Sequence, residues 1–63
     1  MGNRLREIRQ ERGMSLEDLA RLSGVSKSTI SRIELGESEP TQSVMCKICK
    51  ALGLKLDEVF RCN

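Results

Sequence analysis

Apolar residues recur along the 63-residue chain at intervals of three and four, which is the spacing of one face of an α-helix. No stretch alternates apolar and polar residues for long enough to predict a strand. The pattern therefore predicts an all-α fold in a single domain spanning residues 1–63. Five short helices are expected, at about residues 3–12, 16–23, 27–35, 42–52 and 56–60.

Residues that favour helix ends stand between these segments. Ser15, Ser26 and Thr41 each precede a helical stretch, where their hydroxyl oxygens can accept a backbone N–H as N-caps. Asp18 follows Ser15 by three positions, which predicts the reciprocal capping box. A glycine follows each of the first four helices, at positions 13, 24, 36 and 53.

Residues 16–35, "LEDLARLSGVSKSTISRIEL", have the spacing of a helix-turn-helix. The connection between the two helices is so short that they must cross steeply, with a small residue at the contact and a glycine in the turn. Ala20 and Gly24 supply these two. The inner faces of the pair are expected to carry Leu19, Val25, Ile30 and Ile33. A plain αα-hairpin of a small bundle could share this core, but it would not explain the outer face.

The outer face of the second helix in this pair carries Lys27, Ser28, Ser31 and Arg32. The major groove of B-DNA admits one α-helix and presents guanine acceptors that Arg or Lys can meet. Taken singly, Lys27 and Arg32 could simply be solvated surface cations. On the outer helix of a helix-turn-helix, base reading explains them better.

Composition narrows the class of function. The chain has no His and no Tyr, and it lacks a glycine-rich phosphate loop, so an enzyme is not expected. Residues 1–36 hold seven Lys or Arg against five Asp or Glu, while residues 37–63 hold four of each. The net charge of +2 therefore lies in the half that contains the helix-turn-helix. No apolar run is long enough to cross a membrane and no secretory signal is evident, which favours the cytoplasm.

Three cysteines, Cys46, Cys49 and Cys62, make a disulfide framework unexpected in such a chain. "CKIC" has the spacing of half a zinc site, but the other half is missing and both cysteines lie within a predicted helix. Cys49 is expected in the core, Cys46 nearer the surface, and Cys62 where it could crosslink adventitiously. No metal or cofactor is expected, although a thiol- or metal-responsive switch remains a rival interpretation.

The chain resembles the phage-repressor helix-turn-helix family (Cro/C1, also called XRE) over essentially all of its residues. The resemblance is carried by "LREIRQERGMSLEDLA", "SGVSKSTISRIELGE" and "EPTQSVMCKICKALGLKLDEVF". It implies a compact, five-helix, lambda-repressor-like domain that binds duplex DNA sequence-specifically and regulates transcription, as a repressor. It further implies a homodimer on a palindromic operator and a location in the bacterial or phage-infected cytoplasm, associated with the nucleoid.

The same resemblance assigns residues. Base reading falls to Lys27, Ser28 and Arg32, with help from Ser26 and Ser31. Phosphate contacts fall to Ser15, Thr29, Ser38, Thr41 and, secondarily, Arg9. Arg9 is expected mainly to pair with Glu34 and so to join the first helix to the third. Val59, Phe60 and the surface between the fourth and fifth helices would form the dimer interface, although Phe60 could be ordinary core or could serve both purposes.

Three departures from the family pattern weaken this assignment. Leu16 stands where many members have a glutamine that bonds phosphate and supports a base-reading residue. Glu37 and Glu39 make the loop before the fourth helix acidic, which predicts weaker DNA binding with a shallower salt dependence. Lys55 stands where a cap is preferred, so the last helix is expected to fray. These departures leave a second rival, an antitoxin or adaptor that mainly binds a protein.

Overall fold

The computed structural model describes residues 3–60 and confirms the all-α fold with five helices. The helices are α1 (Leu5–Glu11), α2 (Leu16–Ser23), α3 (Lys27–Leu35), α4 (Gln42–Leu52) and α5 (Leu56–Val59). Helix α2 packs against both α3 and α4, and α5 packs against α4. The α2–α3 pair thus contacts the second half of the chain through the packing of α2 against α4.

The first helix starts two residues later than expected, because Asn3 and Arg4 are paired with the end of the described chain. Asn3 instead forms an isolated antiparallel bridge with Phe60, and the Arg4 N–H donates to the carbonyl oxygen of Val59 at 2.9 Å. The Asn3 Oδ1 accepts the Leu5 N–H at 3.2 Å, so this side chain caps α1 from outside the helix. The two ends of the described chain are therefore paired with each other.

All three predicted hydroxyl caps are confirmed. The Ser26 oxygen accepts the Thr29 N–H at 3.3 Å, and the Thr41 oxygen accepts the Val44 N–H at 3.2 Å. At the start of α2 the capping box is complete. The Ser15 oxygen accepts the backbone N–H of residue 18 at 3.0 Å, and the carboxylate of that residue accepts the Ser15 N–H at 3.0 Å.

The start of α5 is better supported than its sequence suggested. The Glu58 carboxylate accepts the Lys55 N–H at 2.8 Å. This bond satisfies a backbone donor at the helix start, although the lysine side chain itself cannot accept a hydrogen bond. The expected fraying therefore overlooked a carboxylate three residues further on. Helix α5 is only four residues long and packs against α4.

The core consists of aliphatic side chains from every helix, with one aromatic ring at its edge. Its members are Leu5, Ile8, Leu19, Val25, Ile30, Ile33, Ile48, Cys49, Leu52, Val59 and Phe60. The expected inward face of the α2–α3 pair is confirmed, since all four of its predicted residues are buried. Ala20 packs, partly buried, against this core.

Two residues assigned to a dimer interface also belong to this core. The side chain of Val59 is fully buried and that of Phe60 is 8% exposed within one chain. Phe60 is therefore a core residue, as the alternative interpretation of it expected. The assignment of Val59 and Phe60 to a dimer interface stays a prediction, to which Val59 brings no exposed surface in this conformation.

None of the helices formed by residues 3–60 is both long and apolar enough to cross a membrane.

The capping box of α2 should make stability depend on pH. Hydrogen bonds from the backbone and hydroxyl of Ser15, with a smaller effect of Arg21, lower the pKa of Asp18 below its ordinary value. A carboxyl group whose pKa is depressed in the folded state stabilises the fold above its unfolded pKa, and this contribution is lost as pH falls through the folded pKa. The urea midpoints of wild type and Asp18→Asn should therefore differ at about pH 6 and converge towards about pH 2.

Glu17→Gln is the matched control, because it removes a charge from the same turn without removing a capping bond. A gap between wild type and Asp18→Asn that stays constant over this range would contradict the capping role of the Asp18 carboxylate.

Candidate nucleic-acid interface

The turn between α2 and α3 is held by one buried hydroxyl and one glycine. The Ser23 hydroxyl donates to the Leu19 carbonyl at 2.7 Å and accepts the Val25 N–H at 3.2 Å. Gly24 has a φ of 75°, the left-handed conformation that a side chain would disfavour. The sequence predicted the glycine but missed Ser23, which looked like a mere helix stop. Together the two residues fix where α3 begins relative to α2.

With Ile30 and Ile33 buried, the opposite side of α3 is left open. Lys27, Ser28 and Arg32 are all exposed there, and this side of the helix is called the reading face below. Ser31 lies at its edge and is half-buried. Neither cation forms an ion pair within residues 3–60. Two unpaired positive charges and a short hydroxyl side chain are thus available to a ligand along one side of a helix.

Ser26 is more constrained than a base-reading role would require. Its oxygen accepts the Thr29 N–H as a cap, and its hydroxyl donates to the Thr29 Oγ1 at 2.8 Å. The proton of the Ser26 hydroxyl is therefore engaged within the chain. The proton of Thr29 remains available for an outside acceptor, since its oxygen receives the bond. This geometry favours Thr29 over Ser26 as a donor to an anion.

The other candidate phosphate contacts are exposed and spread over two helix starts. Ser15 and Thr41 use their oxygens as caps, and Ser38 lies exposed in the loop between α3 and α4. The start of α2 also carries the carboxylates of Glu17 and Asp18. A phosphate near Ser15 would therefore meet negative charge beside the helix N-terminus, which otherwise favours anions.

Arg9 and Glu34 form the ion pair that joins α1 to α3. The Arg9 Nε and Nη2 donate to the two Glu34 carboxylate oxygens at 2.8 and 3.2 Å. The Arg9 Nη1 donates to the Met14 carbonyl at 2.8 Å, so the same side chain also holds the α1–α2 connection. The hydrogen bond to Glu34 raises the pKa of Arg9, against the opposing effect of burial.

The burial of this pair limits the second role assigned to Arg9. Its side chain is 12% exposed and that of Glu34 is 6% exposed. Three donor atoms of the guanidinium are already engaged by protein oxygens. A structural role therefore accounts for the Arg9 side chain, with little of it left to approach a phosphate.

Two long-range side-chain bonds were missed by the sequence analysis. The Asn3 Nδ2 donates to the Ile33 carbonyl at the end of α3, at 2.9 Å. The Arg12 Nη1 donates to the Leu52 carbonyl at the end of α4, at 2.7 Å. The Leu52 carbonyl is one that a helix end leaves without an intrahelical partner, whereas the Ile33 carbonyl also accepts the Gly36 N–H at 3.1 Å. No local sequence signal marks them, because their partners are 30 and 40 residues away.

The two described cysteines differ in environment, as expected. Cys49 is buried, and Cys46, one turn earlier, is exposed. Burial raises the pKa of the Cys49 thiol, with smaller effects of Cys46 and Glu58 in the same direction. Within residues 3–60 no three Cys, Asp or Glu side chains are grouped so that they could hold a metal ion. Cys62 lies outside the described residues.

The chain is similar to helix-turn-helix transcriptional regulators. The helix-turn-helix family HTH_3 matches residues 5–59. The uncharacterized HTH-type transcriptional regulator YgzD of Bacillus subtilis (strain 168) is 38% identical over 60 residues, covering 95% of this chain and 91% of YgzD. The HTH-type transcriptional regulator PuuR of Escherichia coli (strain K12) is 46% identical over 59 residues, covering 94% of this chain but 32% of PuuR.

Solved structures agree with these sequence matches. The crystal structure of the restriction-modification controller protein C.AhdI from Aeromonas hydrophila is similar with a TM-score of 0.85 at 37% identity. The similarity covers 90% of this chain and 86% of that one. The resemblance noted in the sequence thus extends to the arrangement of the helices.

Proposed function

The chain belongs to the helix-turn-helix (Cro/C1, or XRE) family of DNA-binding transcriptional regulators, and from this premise we propose that it represses transcription by placing α3 in the major groove of a specific site. The observation that carries the proposal is the reading face, with Lys27, Ser28 and Arg32 exposed opposite a buried face. Occupancy of the site, rather than chemistry, is the mechanism, and no catalytic role or cofactor is proposed.

One set of residues would determine which DNA sequence is bound, and another would fix the position of the protein on the duplex. Arg32 and Lys27 can donate to the O6 and N7 acceptors of guanine, while Ser28 is short enough to allow close approach. Ser31 is a minor contact at the edge of the reading face, and Ser26 acts mainly by orienting Thr29. Ser15, Thr29, Ser38 and Thr41 donate hydroxyl protons to phosphates, which position the helix without specifying sequence.

Selection of bound duplexes from a random DNA pool is the direct test of sequence-specific binding. We expect a recovered site of a few base pairs per subunit, arranged as a palindrome if the protein binds as a homodimer. If no selected duplex binds better than bulk DNA, the base-reading proposal is overturned. In that case the antitoxin or adaptor interpretation gains support, since Leu22 and Leu35 are 63% and 60% exposed and could contact a protein.

A two-fold dimer would need more exposed apolar surface than Val59 and Phe60 provide within one chain. Leu56, at the start of α5, is 41% exposed, and α5 packs against α4. We propose that this residue, with its surroundings on α4 and α5, forms the homodimer interface. The proposed cellular location is the cytoplasm, in association with the nucleoid.

Leu56→Asp should weaken self-association at least about ten-fold, because it places a charge in a contact that excludes water. Sedimentation velocity over a concentration series measures the effect. Leu22→Asp is the matched control, since it changes an equally large exposed leucine on α2. A monomer–dimer equilibrium that responds to Leu22→Asp and not to Leu56→Asp would place the interface elsewhere.

A further inference from the structure

Asn3 connects three parts of the fold through one short side chain. Its Nδ2 donates to the Ile33 carbonyl and its Oδ1 accepts the Leu5 N–H, while its backbone pairs with Phe60. The partners are one carbonyl and one N–H, so only this orientation of the amide satisfies both. The start of α1, the end of α3 and the end of α5 therefore meet at a single residue.

This contact lies beside the other link between α1 and α3. Arg9 holds α3 through Glu34, and Asn3 holds it through the preceding residue, Ile33. A helix held at one side chain can still turn about that contact. A second contact, to the backbone carbonyl of the neighbouring residue, restricts this turn.

Core packing holds one side of this end of α3, since Ile30 and Ile33 are fully buried. On another side an open pocket of about 120 Å³ lies between the end of the helix and the loop that follows it. It is lined by Asn3, Ile33, Gly36, Ser38, Glu39 and Pro40. The hydrogen bond from Asn3 therefore adds a directional link to this packing at the edge of the pocket.

We propose that Asn3 is a positioning residue that sets the rotation of α3 about its own axis, and through it the direction in which the reading face points. The inference rests on the proposed function, because it concerns how α3 is presented to the groove. A small rotation of α3 would move Lys27 and Arg32 relative to base edges, whose donors and acceptors require defined geometry. Contacts to phosphates tolerate such a change better, since they depend less on direction.

Asn3→Ser and Asn3→Asp separate positioning from capping. Both retain an oxygen that can accept the Leu5 N–H, and both lack the amide donor to Ile33 at its present reach. We expect the ratio of affinity for the selected duplex to affinity for bulk DNA to fall about five-fold in each, the order of one lost hydrogen bond. Asn3→Ser is neutral and Asn3→Asp adds a charge, so a shared effect on the ratio cannot come from charge.

Arg12→Gln is the matched control, because it removes a side-chain bond to a helix-end carbonyl at α4 instead of α3. Its ratio should stay at the wild-type value even if its thermal stability falls. The Ile33 carbonyl ¹³C resonance should shift in both Asn3 variants and not in Arg12→Gln. This readout requires no DNA.

The outcomes distinguish this inference from the proposed function. If the wild-type protein does not discriminate between duplexes, the proposed function is overturned, and the inference that rests on it is overturned with it. If it discriminates and Asn3→Ser and Asn3→Asp retain the wild-type ratio, Asn3 has no positioning role. If Arg12→Gln lowers the ratio as much as they do, general loosening explains the result and the positioning role is again overturned.

Discussion

Arg32→Ala is expected to lower affinity for the selected duplex by about ten- to a hundred-fold, the range for losing one bidentate contact to a base. Affinity for bulk DNA should fall much less. The structural reason is that Arg32 is exposed on α3, makes no ion pair within the described part of the chain, and is not needed to bury the core. A fluorescence-anisotropy titration of both duplexes at one fixed salt concentration measures the two affinities.

Arg6→Ala is the control for the loss of one positive charge, since Arg6 is exposed on α1. It should lower both affinities slightly and leave their ratio unchanged. Lys27→Ala should behave like Arg32→Ala. If either reading-face variant lowers the two affinities equally and reduces the salt slope by about one, the residue contacts phosphate rather than a base.

Glu34→Ala should lower the free energy of unfolding by about 3 kcal/mol, because it breaks a buried ion pair. Removing the carboxylate leaves the Arg9 side chain, 12% exposed, with the Met14 carbonyl as its one remaining partner within residues 3–60. For a domain of this size, that loss corresponds to a fall of roughly 12–24 °C in Tm. Thermal unfolding followed by far-ultraviolet circular dichroism measures it.

A second ion pair of the same length, but exposed to solvent, provides the comparison for this prediction. Arg21 and Asp18 are also 2.8 Å apart, but their side chains are 75% and 43% exposed. Arg21→Ala should therefore change stability by no more than about 0.5 kcal/mol. Equal effects of Glu34→Ala and Arg21→Ala would contradict the view that burial, rather than contact distance, determines the contribution of each pair. Glu34→Gln should fall between them, because it keeps an acceptor but loses the charge.

Local patterns determined most of what the sequence could predict. A cap and the backbone N–H that it accepts lie three residues apart at Ser15, Ser26 and Thr41, so each signal is complete within one short segment. The apolar spacing of α2 and α3 likewise specifies which side of each helix is buried. The reading face follows by exclusion, since Lys27, Ser28 and Arg32 are what remains outside.

The contacts that join distant segments were harder to predict from the sequence. Arg9 and Glu34 were paired only through a family resemblance, and the Met14 carbonyl that completes their arrangement has no signal in residue identity. Asn3 looked like the first residue of a helix, although its amide bonds a carbonyl 30 residues away. Nothing in the spacing of Phe60 distinguished a core ring from an interface ring. That distinction depends on how α5 lies against the rest of the chain.

The burial of Arg9 and Glu34 has a consequence for how this sequence can change over generations. A chain that replaces only one of them keeps a largely buried charge without its counter-charge, at a cost comparable to much of the stability of a small domain. A chain that replaces both with apolar residues of similar size avoids that cost. The two positions, 25 residues apart, are therefore expected to covary: both residues are kept, or both are replaced.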